Sequence, residues 1–155
     1  MTERVDHFGQ SVIPVYEHEV VSGVKELLEQ DIEALCLCCM YSHVNPKHEL
    51  QIEEIARRVL ADHNIDIPVY VSHQVRPVIR EQSRLNSLLI EAYATGKGRE
   101  QLLGVEAAAR EQGFQHSVQT VLSYGGLANV NYPRLHETMI SGPVGGILGA
   151  KHVGE

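Results

Sequence analysis

Apolar positions recur every three or four residues in several stretches of this chain, and in others they run together without interruption. Val20, Val24, Leu27 and Leu28 stand at helical spacing and predict a helix over residues 17–30. "EALCLCCMY" (33–41) is a continuous apolar run, expected as a strand covered on both faces. A helix start follows: Asn45 can cap, Pro46 fits the first turn, and Glu49, Glu53 and Glu54 lie toward the positive end of the dipole. Leu50, Ile52, Ile55, Val59 and Leu60 form its inward stripe. "IPVYVS" (67–72) reads as a second strand, and a further helix is expected from about Pro77, with Ile79, Leu85, Leu88, Leu89 and Ala92 inward.

Gly96 and Gly98 mark an expected break, after which 99–113 forms a helix closed by Gly113. "HSVQTVLS" (116–123) reads as a third strand, 136–141 as a fourth, and a helix entry is expected near Val144. Helices alternating with strands predict an α/β fold, with helices packed on a mixed, partly parallel sheet.

Composition narrows the function classes. The 155 residues are 43% hydrophobic and 21% charged, enough for a packed core, and the net charge is −7. No Lys/Arg cluster suggests a nucleic-acid face, and no apolar run reaches the length of a membrane span. The N-terminal residues lack the apolar stretch of a signal peptide, so a cytoplasmic location is expected. Cys36, Cys38 and Cys39 share one strand and are expected as small core hydrophobes rather than a disulfide or metal site.

Two loops echo each other. "YSHVNPKHE" and "VSHQVRPVIRE" both read strand, Ser-His, turn, proline, then a helix with an early glutamate. In open α/β sheets ligands bind beyond the carboxyl ends of strands, which puts Ser42, His43, Ser72 and His73 in a favourable place. These residues also suit caps and turns, or metal ligation by the histidines; no HExxH motif supports the last, and no metal site is assigned. Arg76, Arg80 and Arg84 fall one turn apart and are expected on one helix face, where they would grip a phosphate or carboxylate or pair with acids such as Glu81.

"LSYGGLAN" and "ISGPVGGILGA" each place a glycine pair after an expected strand. Glycine lets backbone N–H groups approach phosphate oxygens, and a helix N-terminus adds positive potential; tight turns and close packing use glycine equally well. Neither segment is a P-loop or GxGxxG.

Taken together these segments resemble the hydantoinase A / 5-oxoprolinase / acetone carboxylase family. "SGPVGGILGAK" is similar to its SGP-x-GG-x-x-GA segment, "YGG" after "VLS" to its SNGG or THGG element, "YSHVNPKHELQIEEI" to its SYxNPxHExxVxEI segment, and "RPVIREQSRLNSLLIEAY" to its PxxREyeRTxTTxxxAY run. The matches keep family order from about Val12 to Glu155, and the ending lies nearest the acetone carboxylase ATP-binding subunit.

The resemblance implies part of an actin-like ATPase (ribonuclease H-like) fold. Residues 1–95 would end one lobe and 96–155 begin the next. It implies ATP and Mg, with phosphoryl transfer activating a ketone for carboxylation or, alternatively, a cyclic amide for hydrolysis. Ser123, Gly125, Gly126, Ser141, Gly142, Gly145 and Gly146 become phosphate-binding candidates, and Arg80, Glu81, Arg84, His43 and His73 catalytic candidates. Tyr124 stands where the family has Asn or His, Leu85 and Ser87 where it often has Thr, and its GxDxGGTxTD loop has no counterpart here. The chain is therefore expected to be an internal segment of a longer subunit, inactive alone. Its expected partners are the remainder of that subunit, a second large subunit and, as a homo-oligomer, further copies of itself. A shortened, non-catalytic interaction module is the competing reading.

Overall fold

The computed structural model describes residues 1–154, the side chain of Thr95 excepted. The chain divides into two compact units, Met1–Ala92 and Tyr93–Glu155.

The first unit opens with an antiparallel hairpin, β1 (Arg4–Val5) and β2 (Ser11–Ile13). Asp6 shapes its turn by accepting the N–H groups of Phe8 (2.9 Å) and Gln10 (2.8 Å). Helix α1 (Glu17–Leu28) follows where the spacing of Val20 and Val24 predicts it. Strand β3 (Leu35–Leu37) then pairs in parallel with β4 (Val69–Val71), and α2 (Lys47–Asp62) forms the crossover between them. The cap differs from expectation: Pro46 rather than Asn45 stands at the N-cap and no side chain caps the helix, although Asn45, one residue earlier, accepts the Lys47 N–H at 3.1 Å through Oδ1.

The register Leu35↔Val69 and Leu37↔Val71 puts four apolar side chains on one face, where they meet Ile52, Ile55, Ala56 and Val59 of α2 and Val20 and Val24 of α1. Cys36 and Tyr70 lie on the other face and stay half-buried, so β3 alternates rather than being covered on both sides. All three cysteines are free thiols, Cys39 buried in this core and Cys36 and Cys38 half-buried. Leu50, expected inward, is exposed.

Three expectations change near the boundary of the units. A four-residue helix, α3 (Ser72–Val75), continues from β4, and the next helix starts at Glu81 rather than at Pro77. Proline steers the residue before it away from helical angles, and Arg76 is extended (φ −152°). Arg80 then adopts a left-handed φ of 76°, which no helix can include. From Glu81, α4 runs unbroken to Glu111, through Gly96 and Gly98. Glycine weakens a helix by roughly 1 kcal/mol but keeps its N–H, so the ladder of bonds is not cut as proline would cut it. Leu88 is fully buried on α4, whereas Ile79 and Leu89, expected inward, are exposed.

Gly113 (φ 92°) closes α4 as expected: its N–H reaches Arg110 O and that of Phe114 reaches Ala109 O, both at 3.0 Å, a Schellman cap. In the second unit β5 (Gln119–Val121) and β6 (Leu127–Asn129) form an antiparallel hairpin. The expected fourth strand is instead a 3-10 helix, Leu135–Thr138, and α5 (Ser141–Gly154) begins at Ser141 rather than near Val144. Glu155, the end of the matched family segment, lies outside the described residues. In place of one mixed sheet the described residues hold one parallel and two antiparallel strand pairs. Among them no helix is long and apolar enough to cross a membrane.

Gly104 sits mid-helix in α4, and a Cβ built there meets nothing within 4 Å. Gly104→Ala is expected to stabilise the protein by about 0.5–1 kcal/mol, because alanine loses less backbone entropy on folding; thermal melts followed at the helix band will measure it.

Candidate functional site

The carboxyl ends of β3 and β4 meet at a buried polar cluster built on Glu49 and Arg84, both 0% exposed. Glu49 projects from the first turn of α2, where the helix dipole favours its charge. Its Oε1 accepts the Cys39 backbone N–H (2.7 Å) and the Ser72 hydroxyl (2.6 Å). Its Oε2 receives the His73 backbone N–H (3.1 Å) and lies 2.7 Å from His73 Nδ1. One carboxylate thus binds the exits of both strands.

Arg84 answers from α4. Nε donates to Ser72 Oγ (3.3 Å), Nη2 to the Cys39 carbonyl (2.6 Å), and Nη1 to the Val78 carbonyl (3.0 Å) and His43 Nδ1 (3.1 Å). Ser42 Oγ lies 3.2 Å from Ser72 Oγ. The two echoing Ser-His loops therefore converge, joined serine to serine.

Glu81 starts α4 at the edge of this cluster, 3.8 Å from Arg84. Its own backbone N–H holds its carboxyl below the usual 4.5, aided by the Tyr41 N–H and the Arg84 charge and opposed by partial burial. Tyr41 (φ 54°) and Arg80 (φ 76°) both hold left-handed backbone beside the cluster, the kind of strain that persists where surrounding contacts over-determine it. Burial pushes the Cys39 thiol well up and the Cys36 thiol up, so neither is an activated nucleophile.

The three arginines do not form one stripe. Only Arg84 faces inward; Arg76 is exposed with Nη1 3.4 Å from Ser87 Oγ, and Arg80 is exposed before the helix begins. Glu49 was read from the sequence only as a favourable helix charge. The early glutamate in both echoing loops was the signal that pointed to it.

The glycine segments lie together in the second unit. Gly125 (φ 90°) sits in the β5–β6 turn, its N–H donating to Leu122 O at 2.9 Å. A Cβ there would stand 3.2 Å from Leu148 Cδ1 of α5, and one on Gly145 would stand 3.9 Å from Val121 Cγ2 of β5. Apolar side chains fill the approach of hairpin to helix. Ser123 binds the 3-10 helix, its N–H reaching Glu137 O at 2.6 Å and its Oγ accepting the Ile140 N–H at 3.4 Å. Gly145 and Gly146 are interior to α5, where N–H groups turn to carbonyls one turn back. The first turn, Ser141 and Gly142, carries the amides that a helix start leaves for an anion. Gly126 is half-buried in the turn, close to the Tyr124 ring. Tyr124 (3.2 Å) and Tyr132 (2.6 Å) both donate to Glu137 Oε2, and that bond pushes the Tyr132 hydroxyl up to about 12. Among the described residues no group of three or more His, Cys, Asp or Glu is placed to hold a metal ion.

A parallel βαβ unit with a polar cluster at its strand ends, followed by a helix-hairpin-helix unit, places the chain among mixed α/β proteins. Residues 1–60 match the hydantoinase/oxoprolinase N-terminal region and residues 84–155 the hydantoinase/oxoprolinase region. The chain belongs to the hydantoinase/oxoprolinase family. It is 30% identical over 155 residues to the acetone carboxylase beta subunit of Xanthobacter autotrophicus, spanning 100% of this chain and 22% of that one. The nucleotide-free structure of an acetone carboxylase superposes with a TM-score of 0.90 at 30% identity, over 99% of this chain and 22% of that chain. The ATP-dependent caprolactamase of Pseudomonas jessenii superposes with a TM-score of 0.78 at 26% identity, over 98% and 22%. The chain thus spans about a fifth of the length of these relatives.

Two outcomes follow. Glu49→Ala strands the buried donors of Cys39, Ser72 and His73, each costing roughly 1–3 kcal/mol when left without an acceptor, and is expected to lower stability by at least about 3 kcal/mol in denaturant unfolding. Glu81, with its folded value depressed, contributes stability that is present above 4.5 and lost as pH falls through the depressed value. The stability difference between the wild type and Glu81→Gln should therefore be full at neutral pH and shrink in acid, as read by unfolding at several pH values.

Proposed function

We propose that this chain is a segment of an ATP-dependent subunit that activates a carbonyl compound by phosphoryl transfer, with a ketone as substrate for carboxylation. The observation that carries the reading is the convergence of Ser42, His43, Ser72, His73 and Arg84 at the carboxyl ends of a parallel strand pair, in a chain whose relatives act on acetone and caprolactam with ATP. Hydrolysis of a cyclic amide is the second reading, favoured by the caprolactamase likeness. Ketones and lactams share a carbonyl beside an atom that can lose a proton, so one site chemistry serves both.

ATP supplies the phosphoryl group, and Mg would accompany its phosphates. Of this chain's residues, the amides of Ser141 and Gly142 at the start of α5 suit a phosphate, supported by the dipole of a 14-residue helix. Gly145 and Gly146 would then serve by keeping the helix face bare, since a Cβ on Gly146 meets nothing within 4 Å in this chain. No residue of α5 is buried, and Ile147 (71% exposed) and Val153 (87%) face outward. Such a surface suits cover by the remainder of a longer subunit, and the partial actin-like ATPase lobes and the companion large subunit belong to this same reading.

The test is a chimaera: this chain replacing the matching fifth of the Xanthobacter acetone carboxylase beta subunit. Acetone-dependent ATP hydrolysis is expected in the assembled enzyme, and Gly146→Val should abolish it while leaving the circular dichroism of the isolated chain unchanged. A folded, assembled chimaera without ketone-dependent turnover would refute the reading, and turnover with a lactam in place of acetone would select the second.

A further inference from the structure

The proton positions in the buried cluster follow from donor chemistry alone. Arginine only donates, so His43 Nδ1, 3.1 Å from Arg84 Nη1, must accept, and the His43 ring carries its hydrogen on Nε2. The Ser72 hydroxyl has a single hydrogen and spends it on Glu49 Oε1, so Ser42 donates to Ser72. Three N–H or O–H donors converge on Glu49 besides the His73 ring, as around an ionised acceptor, so His73 Nδ1 donates to Oε2, and in the neutral ring its Nε2 keeps a free lone pair. Two histidines that follow contacting serines are thus wired in opposite senses.

We propose that these two loops form a carbonyl site of fixed polarity: His43 presents Nε2–H as a donor to the carbonyl oxygen, and His73 presents Nε2 as the proton acceptor. Both rings are part-exposed and border one cluster: Arg84 binds both Ser72 and His43, and Glu49 binds both Ser72 and His73. The ligand is a carbonyl compound with a removable proton on the adjacent carbon or nitrogen, which rests on the reading under Proposed function. His73 Nε2 takes that proton, the C–H or N–H electron pair forms a double bond to the carbonyl carbon, and the carbonyl π pair moves to oxygen beside His43. The imidazolium so formed keeps the Glu49 carboxylate at Nδ1, as in a carboxylate-oriented base. The oxygen left with negative charge is the nucleophile that phosphoryl transfer from ATP would trap, with ADP leaving.

Long-range proton–nitrogen NMR of the uniformly labelled chain tests the wiring without ATP. His43 is expected with a protonated Nε2 and a bare Nδ1, and His73 with the reverse. Either ring in the opposite tautomer overturns the proposal, whatever becomes of the phosphoryl-transfer reading. The ligand half is read by titrating acetone and, separately, 2-piperidone: each should shift the His73 Nε2 resonance and the His43 Nε2–H resonance. Unmoved resonances with both probes overturn it, and a response to only one selects ketone or lactam. His73→Gln, which retains a hydrogen-bonding side chain beside Glu49, should keep the fold and lose the ketone-dependent turnover of the chimaera. Full turnover in that variant would overturn the base assignment, while a dead parent chimaera with correct tautomers would refute only the broader reading.

Discussion

A carboxylate and a guanidinium, both withdrawn from water, hold the first unit together at its strand ends. Charges in such places are costly unless every lone pair and N–H is answered, and here the answers come from two strand exits, two loops and two helices. Cys39 shows the arrangement in miniature: Glu49 takes its N–H and Arg84 takes its carbonyl. The strands themselves are three residues each, too short to define their alignment firmly. Because the Cys39 N–H and the Ser72 hydroxyl must reach one carboxylate, a slip of one residue, about 3.3 Å, would break both bonds. The polar cluster sets the register that the apolar face alone leaves loose.

Much of this unit was legible because its signals are local. The period of Val20 and Val24, the Asn45-Pro46 start and the apolar runs around Leu35 and Val69 name their elements without reference to anything distant. The Ser-His repeat and the strand-end rule placed His43 and His73 in one neighbourhood. What escaped was what depends on partners far along the chain. Glu49 reads as an ordinary first-turn acid until Ser72 and His73, more than twenty residues on, arrive beside it. The hairpin of Arg4–Val5 and Ser11–Ile13 is too short to show alternation, and it is fixed instead by His48, which lies between Glu3 (2.6 Å) and Ser11 (2.8 Å). The arginine stripe failed for a backbone reason: Pro77 and the left-handed Arg80 keep α4 from starting early.

The second unit was harder to read because glycine is ambiguous. The same residue that frees a loop for an anion also makes a tight turn, and Gly125 does the latter, inside a hairpin that α5 packs against. In α5 the glycines lie within the helix, and in α4 Gly96 and Gly98 do not interrupt it. Glycine marks positions where something passes close; it does not say whether that is a ligand, another helix or nothing in this chain.

Helix α5 carries Gly142, Gly145, Gly146, Gly149 and Gly154 among its fourteen residues and buries no side chain. Each glycine costs roughly 1 kcal/mol of helical propensity against alanine, and short helices are marginal in water without packing. Its coiling and its packing on the β5–β6 hairpin are therefore one thermodynamic event, so loosening the hairpin beside Leu148 would be read out as lost helix.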